Sequence, residues 1–157
     1  MSAAGLIAAA RAKGLRIATA ESCTGGLVAG AITDVAGSSD VFDRGFVTYS
    51  NAAKVAMLGV TEAALAAHGA VSEEVAREMA AGALARSEAQ VAVAVTGIAG
   101  PGGSEFKPEG RVCFGLATAA GVRTETVEFG PRGRAGVRAA SVEHALALLL
   151  RGVADQP

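Results

Sequence analysis

The chain has 157 residues, 51% of them hydrophobic and 18% charged, and 14 Lys+Arg against 15 Asp+Glu leave a net charge of −1. This is the length of one domain, and it is too apolar and too evenly charged for intrinsic disorder. The balanced charge excludes a nucleic-acid binder that works through a broad basic surface.

No stretch reaches the roughly 18 uninterrupted apolar residues of a transmembrane helix, so no membrane partner is expected. At the N-terminus the basic residues follow the apolar ones, the reverse of a signal peptide, so this segment is read as part of the fold. Two cysteines, Cys23 and Cys113, cannot build a disulfide framework, which fits the reducing cytoplasm. Aromatics are 4% with no Trp, so the core must be built from Ala, Val, Leu and Ile.

The elements follow in chain order. Residues 3–13 carry Leu6, Ile7 and Ala10 at helical spacing, with Gly14 as the stop. A short strand over 16–20 runs into Glu21-Ser22-Cys23-Thr24-Gly25-Gly26, and a helical pattern over 27–35 follows. Gly37-Ser38-Ser39 reads as a loop and residues 46–49 as a strand. Asn51 caps a helix carrying Lys54 and Leu58, Thr61 begins another with Glu62 in its first turn, and Ser72 caps a third that runs to about Ser87. A buried-type strand covers 91–95 and a glycine-rich loop covers 97–110. Two strands, 111–119 and 122–129, form a hairpin around Ala120-Gly121, and a final helix over 135–151 ends at Gly152. Helices between the early strands and a hairpin at the end predict an α/β fold, with helices on both faces of a mixed sheet. Sites in such sheets gather at the carboxyl ends of strands, where loops 21–26 and 97–103 both fall.

Several readings of these loops stay open on the residues alone. Ser22, at a strand-to-helix turn, is either a nucleophile beside free backbone N–H groups or, with Thr24, a helix cap. Cys23 competes with it, since a thiolate at a helix N-terminus has a lowered pKa; its bland reading is a small buried hydrophobe. His68 and His144 read better as a helix-end and a boundary residue than as bases. Lys54 is a base candidate if its strand neighbours the first one, although a lone helical lysine is usually solvated. The loop from Thr96 to Ser104 is neither a Walker P-loop nor a Rossmann fingerprint, but its glycines allow close backbone approach to a ligand. Arg132, Arg134 and Arg138 precede or open the last helix, and Arg134 and Arg138 share a face that would grip a phosphate or stay solvated. No cluster has metal-ligand spacing, so no metal is expected.

Taken together, residues 19–26, Gly37-Ser38-Ser39, residues 45–51 with Lys54, residues 68–72, residues 96–101, and Lys107-Pro108 with Gly110 resemble the CinA C-terminal domain family. The resemblance runs from about residue 6 to 150. It implies a three-layer α/β/α sandwich, and the activity of a nicotinamide mononucleotide (NMN) amidohydrolase, which converts NMN to nicotinate mononucleotide and ammonia in pyridine nucleotide salvage. It implies Ser22 as nucleophile, Lys54 as base and Tyr49 as an orienting residue, with neither metal nor cofactor. The N–H groups from Thr24 to Gly26, beside Cys23, become oxyanion-hole candidates. Thr96, Gly97, Ala99 and Gly100 would line the nucleotide pocket, and Arg134 and Arg138 become phosphate contacts. A homo-oligomer, as a dimer, is expected, without the N-terminal molybdopterin-binding-like domain that many members carry.

The chain departs from the family pattern at Gly133, where an acidic residue is usual, and in a loop 101–104 one residue shorter. Two alternatives accompany the leading reading: a non-catalytic nucleotide-binding module linked to competence or damage responses, and an amidase for another small carboxamide.

Overall fold

The computed structural model describes residues 2–104 and 106–157. In chain order it runs α1 (Ala3–Lys13), β1 (Ile17–Glu21), α2 (Leu27–Thr33), a 3-10 turn at Ser38–Asp40, β2 (Phe42–Val47), α3 (Asn51–Leu58), α4 (Glu62–His68), α5 (Glu73–Ala85), β3 (Val91–Gly97), β4 (Arg111–Thr118), β5 (Gly121–Glu128) and α6 (Gly133–Ala154). The five strands form one mixed sheet in the order β2-β1-β3-β4-β5. β1 pairs in parallel with β2 and β3, while β3–β4 and β4–β5 are antiparallel.

Alternation along the strands separates two kinds of core. Ile17, Val91, Val93 and Val95 face a layer made by α1, α2 and α6, where Leu6, Ile7, Val28, Ile32 and Leu149 meet them. Ala18, Ala20, Ala92 and Ala94 face the other way, onto Val75, Met79 and Ala80 of α5. The second face carries small side chains, so α5 lies close to the sheet; a Cβ on Gly115 would stand 2.6 Å from the Ala76 carbonyl oxygen. The sheet is thus covered on both faces, as a three-layer α/β/α sandwich. None of the described helices is long and apolar enough to cross a membrane.

Most boundaries shift by one or two residues from the sequence reading, and the larger differences have local reasons. The second strand is Phe42–Val47, not 46–49. As an edge strand it tolerates Asp43 and Arg44, and Gly45 leaves room for Thr19 Oγ1, 2.7 Å from where a Cβ would sit. Thr48 and Tyr49 leave the strand because their carbonyls turn to Lys54. The second helix stops at Thr33, and the third strand continues to Gly97 through its pairing with Val112. The last helix passes through Gly152 to Ala154: this glycine is a packing position, where a Cβ would press on Val91 Cγ1 at 2.8 Å, and does not end the helix.

The parallel strands β2, β1 and β3 end side by side at Val47, Glu21 and Gly97. The chain leaves β1 toward the α2 face and β2 toward the α3–α5 face, which opens a crevice at their carboxyl ends.

Candidate active site

The first turn of the crevice is built by a carboxylate. Glu21, the last residue of β1, is buried and accepts four hydrogen bonds: Thr24 Oγ1 at 2.6 Å and Gly26 N at 3.2 Å and Val28 N at 2.9 Å on Oε1, and Ala29 N at 3.0 Å on Oε2. An internal anion thus satisfies the start of α2 where the positive end of a helix favours one. Neither Ser22 nor Thr24 caps the helix: its cap residue is Gly26, whose φ of 103° suits glycine. The Thr24 hydroxyl instead donates to Glu21, and the Ser22 side chain is left facing the crevice. Its backbone is held by a bond from Ser22 N to the Val95 carbonyl at 2.9 Å.

Lys54 meets Ser22 there. It sits in the first turn of α3, whose cap is Ser50, not Asn51, because the Ser50 hydroxyl accepts from Ala53 N, and it is 1% exposed. Its Nζ lies 3.1 Å from Ser22 Oγ and donates to the carbonyls of Thr48 at 3.1 Å and Tyr49 at 3.3 Å. The helical lysine is therefore buried and aimed, not solvated, because β2 does neighbour β1. Cys23 takes its bland reading. Burial, foremost, pushes its thiol up to about 11, with Glu21 adding to the rise, so near neutral pH it is a thiol and a poor nucleophile. The lowering expected at a helix N-terminus does not win against burial, to which the Glu21 charge adds.

A pocket of about 330 Å³ opens over the pair. Of the residues singled out in the sequence, Ser22, Cys23, Tyr49, Lys54, Thr96, Gly97, Ala99, Gly100 and Arg134 line it. Arg134 spans the mouth, donating to the Gly100 carbonyl at 2.8 Å and to the Tyr49 hydroxyl at 2.6 Å. Arg138 lies outside the lining and donates instead to the carbonyls of Cys23 at 3.2 Å and Thr24 at 3.4 Å, fastening the Ser22 turn to α6. Arg132 turns onto the Phe129 carbonyl and ring. Thr24, Gly25 and Gly26 shape the turn from behind. Gly25 N donates to the Ser22 carbonyl and Gly26 N to Glu21, while Thr24 N–H meets no acceptor among the described residues. Neither histidine lines the pocket: His144 pairs with Glu125 at 2.6 Å, and His68 ends α4 beside Glu74.

Other residues of the pocket carried no site role in the sequence reading. Asn51 and the Ala70–Val71 wall line it too, with Ile98 and residues 101–104. That wall is pinned by Thr96 Oγ1 on the Ala70 carbonyl at 2.8 Å, and by Lys107 Nζ on the carbonyls of His68 at 2.8 Å and Val71 at 2.6 Å. Glu109 braces the opposite wall. For Glu21 a signal was present, an acid just ahead of a helix start; for Lys107 and Glu109 the partners are backbone atoms distant in sequence, which no local pattern announces.

The same architecture and residue order recur in known proteins. A family model described as the CinA C-terminal domain matches residues 2–153. The nicotinamide-nucleotide amidohydrolase PncC of Escherichia coli (strain K12) is 55% identical over 142 residues, covering 90% of this chain and 86% of that protein. A CinA-like protein of Chloroherpeton thalassium is 61% identical over 111 residues, 70% of this chain but 26% of that protein. The chain spans about a quarter to a third of the length of the CinA-like relatives it matches. Among solved structures, the competence/damage inducible protein CihA from Agrobacterium tumefaciens is similar with a TM-score of 0.92 at 51% identity, over 96% of this chain and 92% of that one. A match over nearly the whole length, in sequence and in three-layer architecture alike, assigns the chain: it belongs to the CinA C-terminal domain family.

Proposed function

We propose that the protein hydrolyses the carboxamide of nicotinamide mononucleotide, releasing nicotinate mononucleotide and ammonia, by a Ser-Lys mechanism. The observation that carries this reading is the buried pair, Lys54 Nζ at 3.1 Å from Ser22 Oγ, beneath an open pocket. Its similarity to proteins named nicotinamide-nucleotide amidohydrolase, at 55% identity for PncC of Escherichia coli, supports the substrate.

A lysine is a base only when uncharged, and withdrawal of an amine from water favours that form. Neutral Lys54 directs its N–H groups to the Thr48 and Tyr49 carbonyls and its lone pair to the Ser22 hydroxyl. Ser22 Oγ attacks the carboxamide carbon as Lys54 takes its proton. The oxyanion forms beside the Ser22 turn, where Thr24 N–H is the donor of the expected set that is not already used. Lys54 returns the proton to the departing nitrogen, and ammonia leaves. Water, deprotonated by Lys54, then attacks the Ser22 ester, and Lys54 passes that proton to Ser22 Oγ as the acyl–oxygen bond breaks and the acid is released. Tyr49 and Arg134, joined at the pocket mouth, face the phosphorylated end of the substrate.

The test is ammonia release from NMN by the wild-type protein, Ser22→Ala, Lys54→Ala and Cys23→Ala. Both Ser22→Ala and Lys54→Ala are expected to lose roughly a thousandfold or more in kcat, the usual scale for removing a nucleophile or its base. Cys23→Ala is expected to keep turnover. A Ser22→Ala protein that still turns over, or rapid quench with no acyl adduct on Ser22, overturns the mechanism. Turnover of nicotinamide riboside in preference to NMN replaces the substrate with another small carboxamide. NMN binding without turnover in the wild type makes the protein a nucleotide-binding module.

A further inference from the structure

Two pieces of chain frame the pocket mouth, and neither is rigid by its own composition. One is the loop through Gly100, Gly102 and Gly103, three glycines whose side chains supply no contact to hold it, with Pro101 between them. The other is the first turn of α6, which starts on Gly133 and presents Arg134. Arg134 is exposed, and a free arginine side chain loses rotamer entropy when it is held in place. Its two acceptors, the Gly100 carbonyl and the Tyr49 hydroxyl, hold it in place only as well as the loops that carry them.

Glu109 joins the two pieces. Its Oε1 accepts from Gly102 N at 2.8 Å and its Oε2 from Gly133 N at 3.0 Å, one oxygen for each wall. The carboxylate lies directly behind Gly100, where a Cβ would stand 2.6 Å from Glu109 Cδ, so the loop runs against it with no side chain between. The Glu109 backbone is itself anchored, since the next residue donates Gly110 N to the Ile98 carbonyl at 2.8 Å and accepts from Phe129 N at 2.8 Å. Bonds from N–H groups to an ionised acceptor are the strong kind, and a negative charge at the start of α6 is favoured by the helix. Glu109 does not line the pocket, so it acts through what it holds.

We propose that Glu109 is a positioning residue for substrate recognition: its carboxylate locks the Gly100–Gly102 wall to the first turn of α6 and thereby fixes Arg134 across the pocket mouth. It follows that Gly133 N–H, already used by Glu109, is not the phosphate site, and that recognition of the phosphorylated end passes through the Arg134 side chain. The choice of substrate rests on the amidohydrolase reading above; the lock itself does not.

Two measurements on the full chain test this with Glu109→Ala and Glu109→Gln. The first is steady-state kinetics on NMN and on nicotinamide riboside, which lacks the phosphate. In Glu109→Ala, KM for NMN is expected to rise about tenfold with kcat within about twofold, and KM for the riboside to stay unchanged, the pattern of lost ground-state positioning at one end of the substrate. Glu109→Gln keeps one acceptor oxygen and is expected to recover part of the loss. The second is amide hydrogen exchange, expected to quicken at residues 100–103 and 133–136 in Glu109→Ala and not in the central strands. An unchanged KM for NMN, or equal losses on both substrates, overturns the positioning role. Unchanged exchange at both segments overturns the lock, and this readout decides it even if the wild-type protein releases no ammonia from NMN, a result that fails the amidohydrolase reading alone.

Discussion

The Glu21 carboxylate sets the shape of the Ser22 turn, because one side chain collects the donors of Thr24, Gly26, Val28 and Ala29. Removing it strands several buried donors at once, and each costs more unpaired than it contributed when paired. Glu21→Ala is expected to destabilise the protein by about 2–4 kcal/mol, read as the shift of the urea midpoint. Glu21→Gln is expected to lose less, because one acceptor oxygen stays. A midpoint unmoved in Glu21→Ala contradicts the role given to this residue. Ser22 and Lys54 were legible as candidates from the residues, and Tyr49 and the role of each came from the family resemblance; what the sequence did not carry is the distance between them. A serine at a turn and a lysine on a helix are ordinary until 3.1 Å separates them away from water. Cys23 shows the converse: its position beside a helix start promised reactivity, and burial together with the Glu21 charge removes it.

Among the elements, α5 and β4 show how small residues decide an approach distance. Gly115 faces the helix, and a methyl group there would meet the Ala76 carbonyl at 2.6 Å and the Ala80 Cβ at 3.1 Å. Gly115→Ala is expected to cost about 1–3 kcal/mol through overpacking. For a chain of this size that is a fall in Tm of about 3–10 °C by calorimetry. Gly30→Ala, in α2 with open space at its Cβ, is expected to leave Tm unchanged or raise it through better helix propensity. Equal effects of the two substitutions would remove the distinction. Helix starts were the most legible features, since Thr61 and Ser72 cap α4 and α5 through their own side chains, bonds that are local in sequence. Strand ends and the end of α6 were less so. Asp43 and Arg44 resemble a turn until an edge position exposes them, and Gly152 resembles a stop until Val91 and Leu116 pack against it.

Over the whole molecule, two carboxylates bond across elements distant in sequence and contribute to the response to acid. Glu73, at the start of α5, accepts from the Thr126 and Thr124 hydroxyls of β5, and these bonds lower its pKa below the usual 4.5. Asp43, on β2, accepts from Glu88 N ahead of β3, and that bond, with Arg44, lowers it below 3.8. A carboxylate whose pKa falls on folding stabilises the fold above its unfolded pKa, and loses that contribution as pH drops through the folded value. Urea midpoints are therefore expected to hold near neutral pH and fall as the pH passes below 4.5 and then 3.8. Glu73→Gln is expected to flatten the upper part of that fall. A midpoint that rises on acidification over this range contradicts the assignment.

By itself the sequence determined the fold class, the order of the elements and the two loops that carry the site. Those follow from periodicity, caps and glycines, which act over a few residues. Tertiary structure decided which side chains become chemistry. Pairing of β1 with β2 brings Lys54 to Ser22, 32 positions away. A bond across 24 positions sets Glu109 on Gly133, and one across 85 sets Arg134 on Tyr49. Contacts of that span are made by the sheet order and the layer packing, and burial, which takes Lys54 out of water and sets it beside Ser22, exists only once the layers have closed.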